Sequence, residues 1–120
     1  IQALKDAESY NGPSLVICYC PCAEQHIKGG LVNSIEEEKK AVECGYFQCF
    51  RYDPRLVREG KPGLTIDMKE PNYTKFRDFL MHETRFSQLP ITNPEHAEEL
   101  LTKCENYAKD RWNAIKKFGL

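Results

Sequence analysis

The sequence lacks the features that would direct a protein to a membrane or to nucleic acid. It has no run of about 18 apolar residues, the length that a helix needs to cross a bilayer, and no charged and then apolar leader. Its 17 basic and 18 acidic residues are interleaved and leave a net charge of -1. A polyanion therefore finds no basic patch to bind. We expect a cytoplasmic protein with no nucleic-acid partner and no membrane partner.

Short motifs that would fix a metal or a nucleotide are also missing. There is no C-x-x-C pair, no G-x-G-x-x-G and no Walker sequence, and no internal repeat or flexible linker divides the chain. The cysteines lie mostly inside apolar patterns that can form a core without covalent help, so we expect reduced thiols and no disulfide scaffold. The cysteines are Cys18, Cys20, Cys22, Cys44, Cys49 and Cys104.

Thiols, a histidine, flexible backbone and a helix start come together in residues 15–34. Leu15 to Tyr19 has no polar alternation, which is typical of a strand covered on both faces. The strand stops at Pro21 and Cys22, where open α/β sheets hold ligands. On the residues alone, Cys20 or Cys22 with His26 could bind zinc or an iron–sulfur cluster, but an ordinary core or surface cysteine and a solvated histidine are the simpler interpretations.

Two further groups of residues have a functional and a plain interpretation. Gly29 and Gly30 precede a helix start and could surround an anion with amide donors, although the spacing matches no nucleotide motif. Charged residues of both signs at positions 51–58 could bind an anion or pair with each other, and pairing is the favoured interpretation. The glutamates at 36–38 are expected to form a solvated first helical turn.

Apolar periodicity and capping signals predict four helices. The first three cover residues 2–9, residues 34–45 from a capping box at Ser34, and a segment from Asn72 to near Glu83. The fourth is long, starts at Asn93-Pro94 and is expected to bury its stripe of Tyr107 and Trp112. A second strand is predicted over 46–52 and a short one over 64–66, and the helix between the first two strands predicts a right-handed βαβ crossover.

These elements predict an α/β fold, a three-layer αβα fragment with a short, mostly parallel sheet and a long C-terminal helix. Residues 1–120 are expected to form a single domain. So few strands leave backbone groups unpaired, and we expect the sheet to be completed by chain outside these residues. The first residue is Ile1 rather than methionine, within an apolar helix face already under way, which indicates a piece of a longer protein.

The chain resembles the carboxyl-terminal part of the pyruvate:ferredoxin (flavodoxin) oxidoreductase family, at the end of its thiamine-diphosphate domain. The resemblance covers nearly the whole chain. It rests on islands that occur in one order: Gly12 to Ile17, Tyr19-x-x-Cys22, Lys28-Gly-Gly, Asn33 to Glu43, Gly45-Tyr46, Arg51 to Leu56, Glu59 to Lys61, Lys69 to Pro71, Phe79 to Met81, and Arg85-Phe86.

The resemblance implies a homodimeric parent enzyme that converts pyruvate and coenzyme A to acetyl-CoA and carbon dioxide and reduces ferredoxin or flavodoxin. It implies thiamine diphosphate with Mg²⁺ and [4Fe–4S] clusters, and it makes Cys22 the fourth ligand of the cluster nearest the thiamine. This chain departs from the family pattern at residues 23–26 and at Leu31-Val32.

The resemblance places the glycine-aspartate motif that binds magnesium and diphosphate, and the other cluster cysteines, upstream of these residues. We therefore expect the isolated chain to be inactive, with no catalytic residue and no thiamine-binding residue of its own. The alternative is a non-catalytic module in which the loop of Cys20, Cys22 and His26 binds zinc or no metal and the long helix serves assembly.

Overall fold

A computed structural model describes residues 1–118, which are mostly helical. Two 3₁₀ turns, Leu31–Asn33 and Tyr73–Lys75, lead into the second and fourth helices. The helices are α1 Gln2–Ser9, α2 Ser34–Glu43, α3 Pro54–Arg58, α4 Phe76–His82, α5 Thr84–Ser87, α6 Leu89–Thr92 and α7 Pro94–Phe118.

The sheet within the described residues is a single antiparallel pair. Strand β1, Phe50–Tyr52, pairs with β2, Leu64–Ile66, and Arg51 faces Thr65 in the register. The short helix α3 connects them, with Asp53 as its N-cap and proline at its first position. The predictions of a mostly parallel sheet, of three layers and of a βαβ crossover are thus not met in this part of the chain.

The predicted strand over residues 15–19 is wrong for the chain by itself. The segment has no assigned secondary structure, and Leu15 and Ile17 are 84% and 71% exposed. An apolar sequence is not enough for a strand, because a strand exists only where a neighbour pairs with its backbone. Residues 46–49 of the second predicted strand are also outside β1, because Tyr46 and Phe47 turn into the core instead.

The core lies between α2, α4 and α7. Its fully buried members are Ala41 of α2, Cys44 directly after α2, and Phe76, Phe79 and Leu80 of α4, each with at most 1% exposure. Leu101 and Ala108 of α7 close it. The predicted α7 stripe is buried at Trp112, but the prediction is wrong for Tyr107, which is 66% exposed. The rings of Tyr19, Tyr46 and Phe47 pack against this cluster.

Helix predictions were more accurate than strand predictions. α1 and α2 begin and end within two residues of the expected positions, and α7 begins where expected. α2 ends before Gly45, which has the left-handed φ of 82°. The capping box at Ser34 does not form, because Ser34 is already helical and its hydroxyl donates to the Leu31 carbonyl at 2.5 Å. Asn72 caps the 3₁₀ turn before α4 through the amide of Thr74.

The described chain is extended rather than spherical. Its radius of gyration is 16.8 Å and its extents are 52 × 29 × 22 Å, whereas a compact domain of this length has a radius of gyration of about 14 Å. Within residues 1–118, no helix combines the length and apolar character needed to cross a membrane.

Candidate functional site

The thiols of interest lie on residues 20–26, here named the cysteine loop. Pro21 is buried, Cys22 is half-buried, and Cys20 and Cys18 are exposed. The Cys20 thiol donates to the Pro21 carbonyl at 3.5 Å, whereas the Cys22 thiol makes no hydrogen bond to any described residue. Among the three thiols, Cys22 is therefore the one that is partly sheltered and still available to a ligand.

The end of the cysteine loop is attached to the break between α4 and α5. Ile27 forms an antiparallel bridge with Glu83, and the two flanking bonds run from the Lys28 amide to the His82 carbonyl, at 2.8 Å, and from the Thr84 amide to the His26 carbonyl, at 3.3 Å. The bridge is possible because Glu83 has extended dihedral angles, φ −84° and ψ 116°, between two helices. It fixes the chain directly after the loop.

The start of the loop is attached to the same residue through side chains. Tyr19, which enters the core just before Cys20, donates its hydroxyl to Glu83 Oε1 at 2.5 Å. The tyrosine ring packs edge-on against Tyr46 and Phe79, with centroids at 5.7 and 6.4 Å. Burial and the neighbouring Glu83 carboxylate raise the pKa of Tyr19, so the hydroxyl keeps its proton and remains the donor.

Glu83 is completely buried and is compensated by one cation. The Arg85 Nε lies 3.3 Å from Glu83 Oε2, an oxygen that accepts no hydrogen bond from the described residues. The Arg85 guanidinium also lies over the rings of Phe86 and Tyr46, at 4.9 and 5.9 Å. A buried carboxylate with so few partners is costly, and so it requires an explanation.

A second buried carboxylate belongs to α2. Glu37 is 3% exposed, its Oε1 has no partner among the described residues, and Lys40 lies 3.5 Å from its Oε2. Burial raises its pKa. The prediction that the glutamates at 36–38 form a solvated turn is wrong for Glu37, because spacing places it on the helix face of Ala41 and Cys44.

Sequence reasoning missed Glu83, although a signal for it exists. The residue follows Phe79 by four positions and Leu80 by three, so it continues the apolar face of α4. A charged residue on such a face is either a helix end or a buried, paired group. Glu83 is both.

The other candidates do not form a metal or anion site by themselves. No group of three or more histidine, cysteine, aspartate or glutamate side chains within residues 1–118 is placed to hold a metal ion, and His26 is exposed with a left-handed φ of 60°. Gly29 and Gly30 have positive φ of 83° and 87°, as a tight turn before the 3₁₀ segment requires.

Three of the four charged residues at 51–58 form ion pairs, as favoured, with each other, with Asp67 or with α1. Arg51 binds Asp67, at 2.6 Å between Nε and Oδ2, and also Asp6, and Arg55 binds Asp53 at 2.8 Å. These hydrogen bonds lower the pKa values of the three aspartates. The residues line an open groove of about 880 Å³ between α1, residues 13–17 and the hairpin.

Comparison with known proteins confirms the resemblance. No model of a protein family matches the chain. The chain is 46% identical over 119 residues to the pyruvate:ferredoxin oxidoreductase of Moorella thermoacetica and 40% identical over 119 residues to the pyruvate-flavodoxin oxidoreductase of Klebsiella pneumoniae; each alignment covers 99% of this chain and 10% of the relative. A mitochondrial pyruvate dehydrogenase [NADP(+)] of Euglena gracilis is 32% identical over 117 residues, covering 98% of this chain and 6% of that protein. The chain thus spans about a tenth, or less, of the length of these relatives.

Proposed function

We propose that this chain is the carboxyl-terminal piece of the thiamine-diphosphate domain of a cytoplasmic pyruvate:ferredoxin or pyruvate:flavodoxin oxidoreductase. The parent converts pyruvate and coenzyme A to acetyl-CoA and carbon dioxide and passes the electrons to ferredoxin or flavodoxin. The observation that carries the proposal is the continuous similarity: 99% of the chain aligns with a tenth of proteins that bear these names. The resemblance of the Tyr19-x-x-Cys22 island to the family supports a second part of the proposal, which is that the cysteine loop supplies a cluster ligand.

Within the parent, Cys22 supplies one thiolate to a [4Fe–4S] cluster. The donor set fits this role only in part, because such a cluster needs four ligands and residues 1–118 bring no three together. Cys22 is half-buried beside the buried Pro21, and its thiol has no hydrogen-bond partner in the described structure. Such a thiol suits a cluster whose ligands come from several parts of a protein. The other three ligands belong to the rest of the parent.

The cluster, when bound, supplies one-electron transfer to the parent reaction. This chain's own residues place and shelter the ligand. Pro21 and Ile27, which flank Cys22 in the sequence, are both buried, and a low-dielectric surround is one determinant of cluster potential.

The exposed segment 15–19 supports the view that the fold is completed elsewhere in the parent. Its backbone groups form no backbone–backbone hydrogen bond within the described residues, and the side chains of Leu15, Val16 and Ile17 are exposed, whereas the Tyr19 ring packs in the core. We propose that it forms a strand in the parent's sheet, which would restore the three-layer αβα arrangement. The thiamine diphosphate, its Mg²⁺ and the dimer contacts belong to the rest of the enzyme, and the isolated chain is inactive.

The test uses the full-length reading frame that contains this chain, purified without oxygen. Cys22→Ala is expected to remove the EPR signal of the cluster nearest the thiamine, and Cys20→Ala, the matched control two residues away, to leave it. Loss of the signal in Cys20→Ala alone would move the ligand to Cys20. An intact set of clusters in both variants would show that neither thiol is the ligand, whereas zinc bound in place of iron in the unmodified protein would favour the non-catalytic module.

A further inference from the structure

We propose that Glu83 is the positioning residue of the cysteine loop, holding Cys22 in place by fixing the chain on both sides of it. The inference deepens the proposed function, and its statement about a metal rests on that function. Its geometric part concerns only residues of this chain.

The first step is that both attachments of the loop converge on one residue. The Glu83 carboxylate accepts the Tyr19 hydroxyl at 2.5 Å, three residues before Cys22. The Glu83 backbone bridges Ile27, five residues after Cys22. The intervening residues are exposed except for Pro21 and Cys22, so they have few other contacts that could fix them.

The second step is that Glu83 is itself rigid. It has no exposed surface and lies directly after the buried α4 residues Phe79 and Leu80. Its carbonyl accepts the amides of Phe86 and Ser87 at 2.9 and 3.0 Å and so begins α5. A loop attached to such a residue inherits the rigidity of the core.

The third step explains why a charged residue is buried here. A carboxylate accepts from a tyrosine more strongly than a neutral group does, since charge-assisted hydrogen bonds are shorter and stronger. Arg85, 3.3 Å from the second oxygen, offsets the buried charge. Burying this carboxylate costs free energy, but the carboxylate fixes the loop. An apolar residue at this position could not accept the Tyr19 hydroxyl and so would not fix it.

The experiment measures the rate at which iodoacetamide alkylates Cys22 in full-length enzyme freed of clusters. The enzyme carries Cys18→Ser and Cys20→Ser, so that alkylation within the loop reports on Cys22. Tyr19→Phe keeps the ring packing and removes the hydroxyl; Glu83→Ala removes the acceptor; Glu83→Gln keeps an acceptor oxygen without the charge. Glu37→Gln is the matched control, since Glu37 is equally buried but forms its ion pair with Lys40. Peptide mapping follows iodoacetamide modification of Cys22.

We expect Tyr19→Phe and Glu83→Ala to speed alkylation of Cys22 roughly tenfold, in line with the effects of residues that orient a ligand. Glu83→Gln should have an intermediate rate. Glu37→Gln should have the same rate as the protein without these substitutions. The double variant Tyr19→Phe/Glu83→Ala should be no faster than either single variant. In cluster-loaded enzyme, release of iron to a chelator should follow the same order. Unchanged alkylation in Tyr19→Phe, or equal acceleration by Glu37→Gln, would overturn the inference.

The two proposals fail in different ways. If Cys22→Ala keeps the cluster signal, the ligand role is wrong while the alkylation order still tests Glu83. If Cys22→Ala loses the signal and the alkylation rates do not differ, Cys22 is the ligand and something other than Glu83 positions it.

Discussion

At the scale of single residues, the buried carboxylate of Glu37 makes one contribution to the pH dependence of stability. Burial raises its pKa above the ordinary glutamate value of 4.5, so the folded state holds this proton more tightly than the unfolded state does. The associated stability is fully present below pH 4.5 and is lost as the pH rises through the folded pKa. At neutral pH the chain therefore carries a cost that a neutral residue would not.

Glu37→Met should raise the free energy of unfolding at pH 7 by about 1 kcal/mol, because it removes a buried charge and an unsatisfied acceptor. The gain should shrink when the pH falls below 4.5. Urea unfolding of the chain at the two pH values measures both. Glu36→Met, at a neighbour whose side chain is 62% exposed, is the control and should change little; an equal gain there would attribute the effect to helix propensity.

At the scale of elements, α1 is joined to the rest of the chain by polar contacts. It has no buried residue. Arg51 binds Asp6, and Arg55 donates to the Ser9 carbonyl at 3.0 Å and lies over the Tyr10 ring at 5.6 Å. An eight-residue helix has little stability of its own, so these contacts decide its order.

Arg51→Met should therefore speed amide hydrogen exchange in α1 by up to about fivefold, a small effect because an ion pair near the surface is screened by water. Exchange followed by mass spectrometry resolves α1 from the core helices, which should be unchanged. Lys61→Met, which breaks the exposed pair with Glu59, is the control. Unaltered exchange in α1 would show that Arg55 suffices to hold it.

Helices could be predicted from this sequence where their signals are local. Asn93-Pro94 and the stripe through Trp112 predicted α7, and Gly45 marked the end of α2. The residues Asp53-Pro54 carry the same kind of signal for α3. α5 and α6 have weak sequence signals, because each has only four residues and Pro90 lies within α6.

Strands and the site could be predicted only in part, since both depend on distant partners. The apolar sequence of 15–19 does not specify what pairs with it, and the pairing of Ile27 with Glu83 joins residues 56 apart in sequence. Cys22 was singled out by a family pattern, whereas the role proposed for Glu83 required coordinates. Only its position on the apolar face of α4 was visible beforehand.

At the scale of the whole molecule, the exposed segment 15–19 should behave oppositely in the isolated chain and in the parent. An extended apolar segment with unpaired backbone groups promotes association between copies, and a lysine on it discourages this. Ile17→Lys, at a side chain 71% exposed, should shift the isolated chain toward monomer in sedimentation velocity. In the full-length enzyme the same change should lower the yield of folded protein, because the lysine would enter a covered sheet.

The control for this experiment is Val32→Lys, which changes a side chain that is 90% exposed within a 3₁₀ turn. It should leave both the isolated chain and the full-length enzyme unaltered. If Ile17→Lys is tolerated in the full-length enzyme, segment 15–19 is a solvated connection there as well, and the proposed strand is wrong.

Because both ends of the cysteine loop are attached to Glu83, the side chains of residues 23–26 can be replaced without disturbing the fold. Ala23 and the residues up to His26 are exposed, and their side chains take no part in fixing the chain on either side of them; only the His26 backbone contributes, through its carbonyl and the Thr84 amide. Sequence can drift there without moving the neighbouring thiol, which accounts for a loop that departs from the family pattern between two islands that match it. The same residues are where an engineer could insert a new segment beside Cys22 at the least cost to the fold.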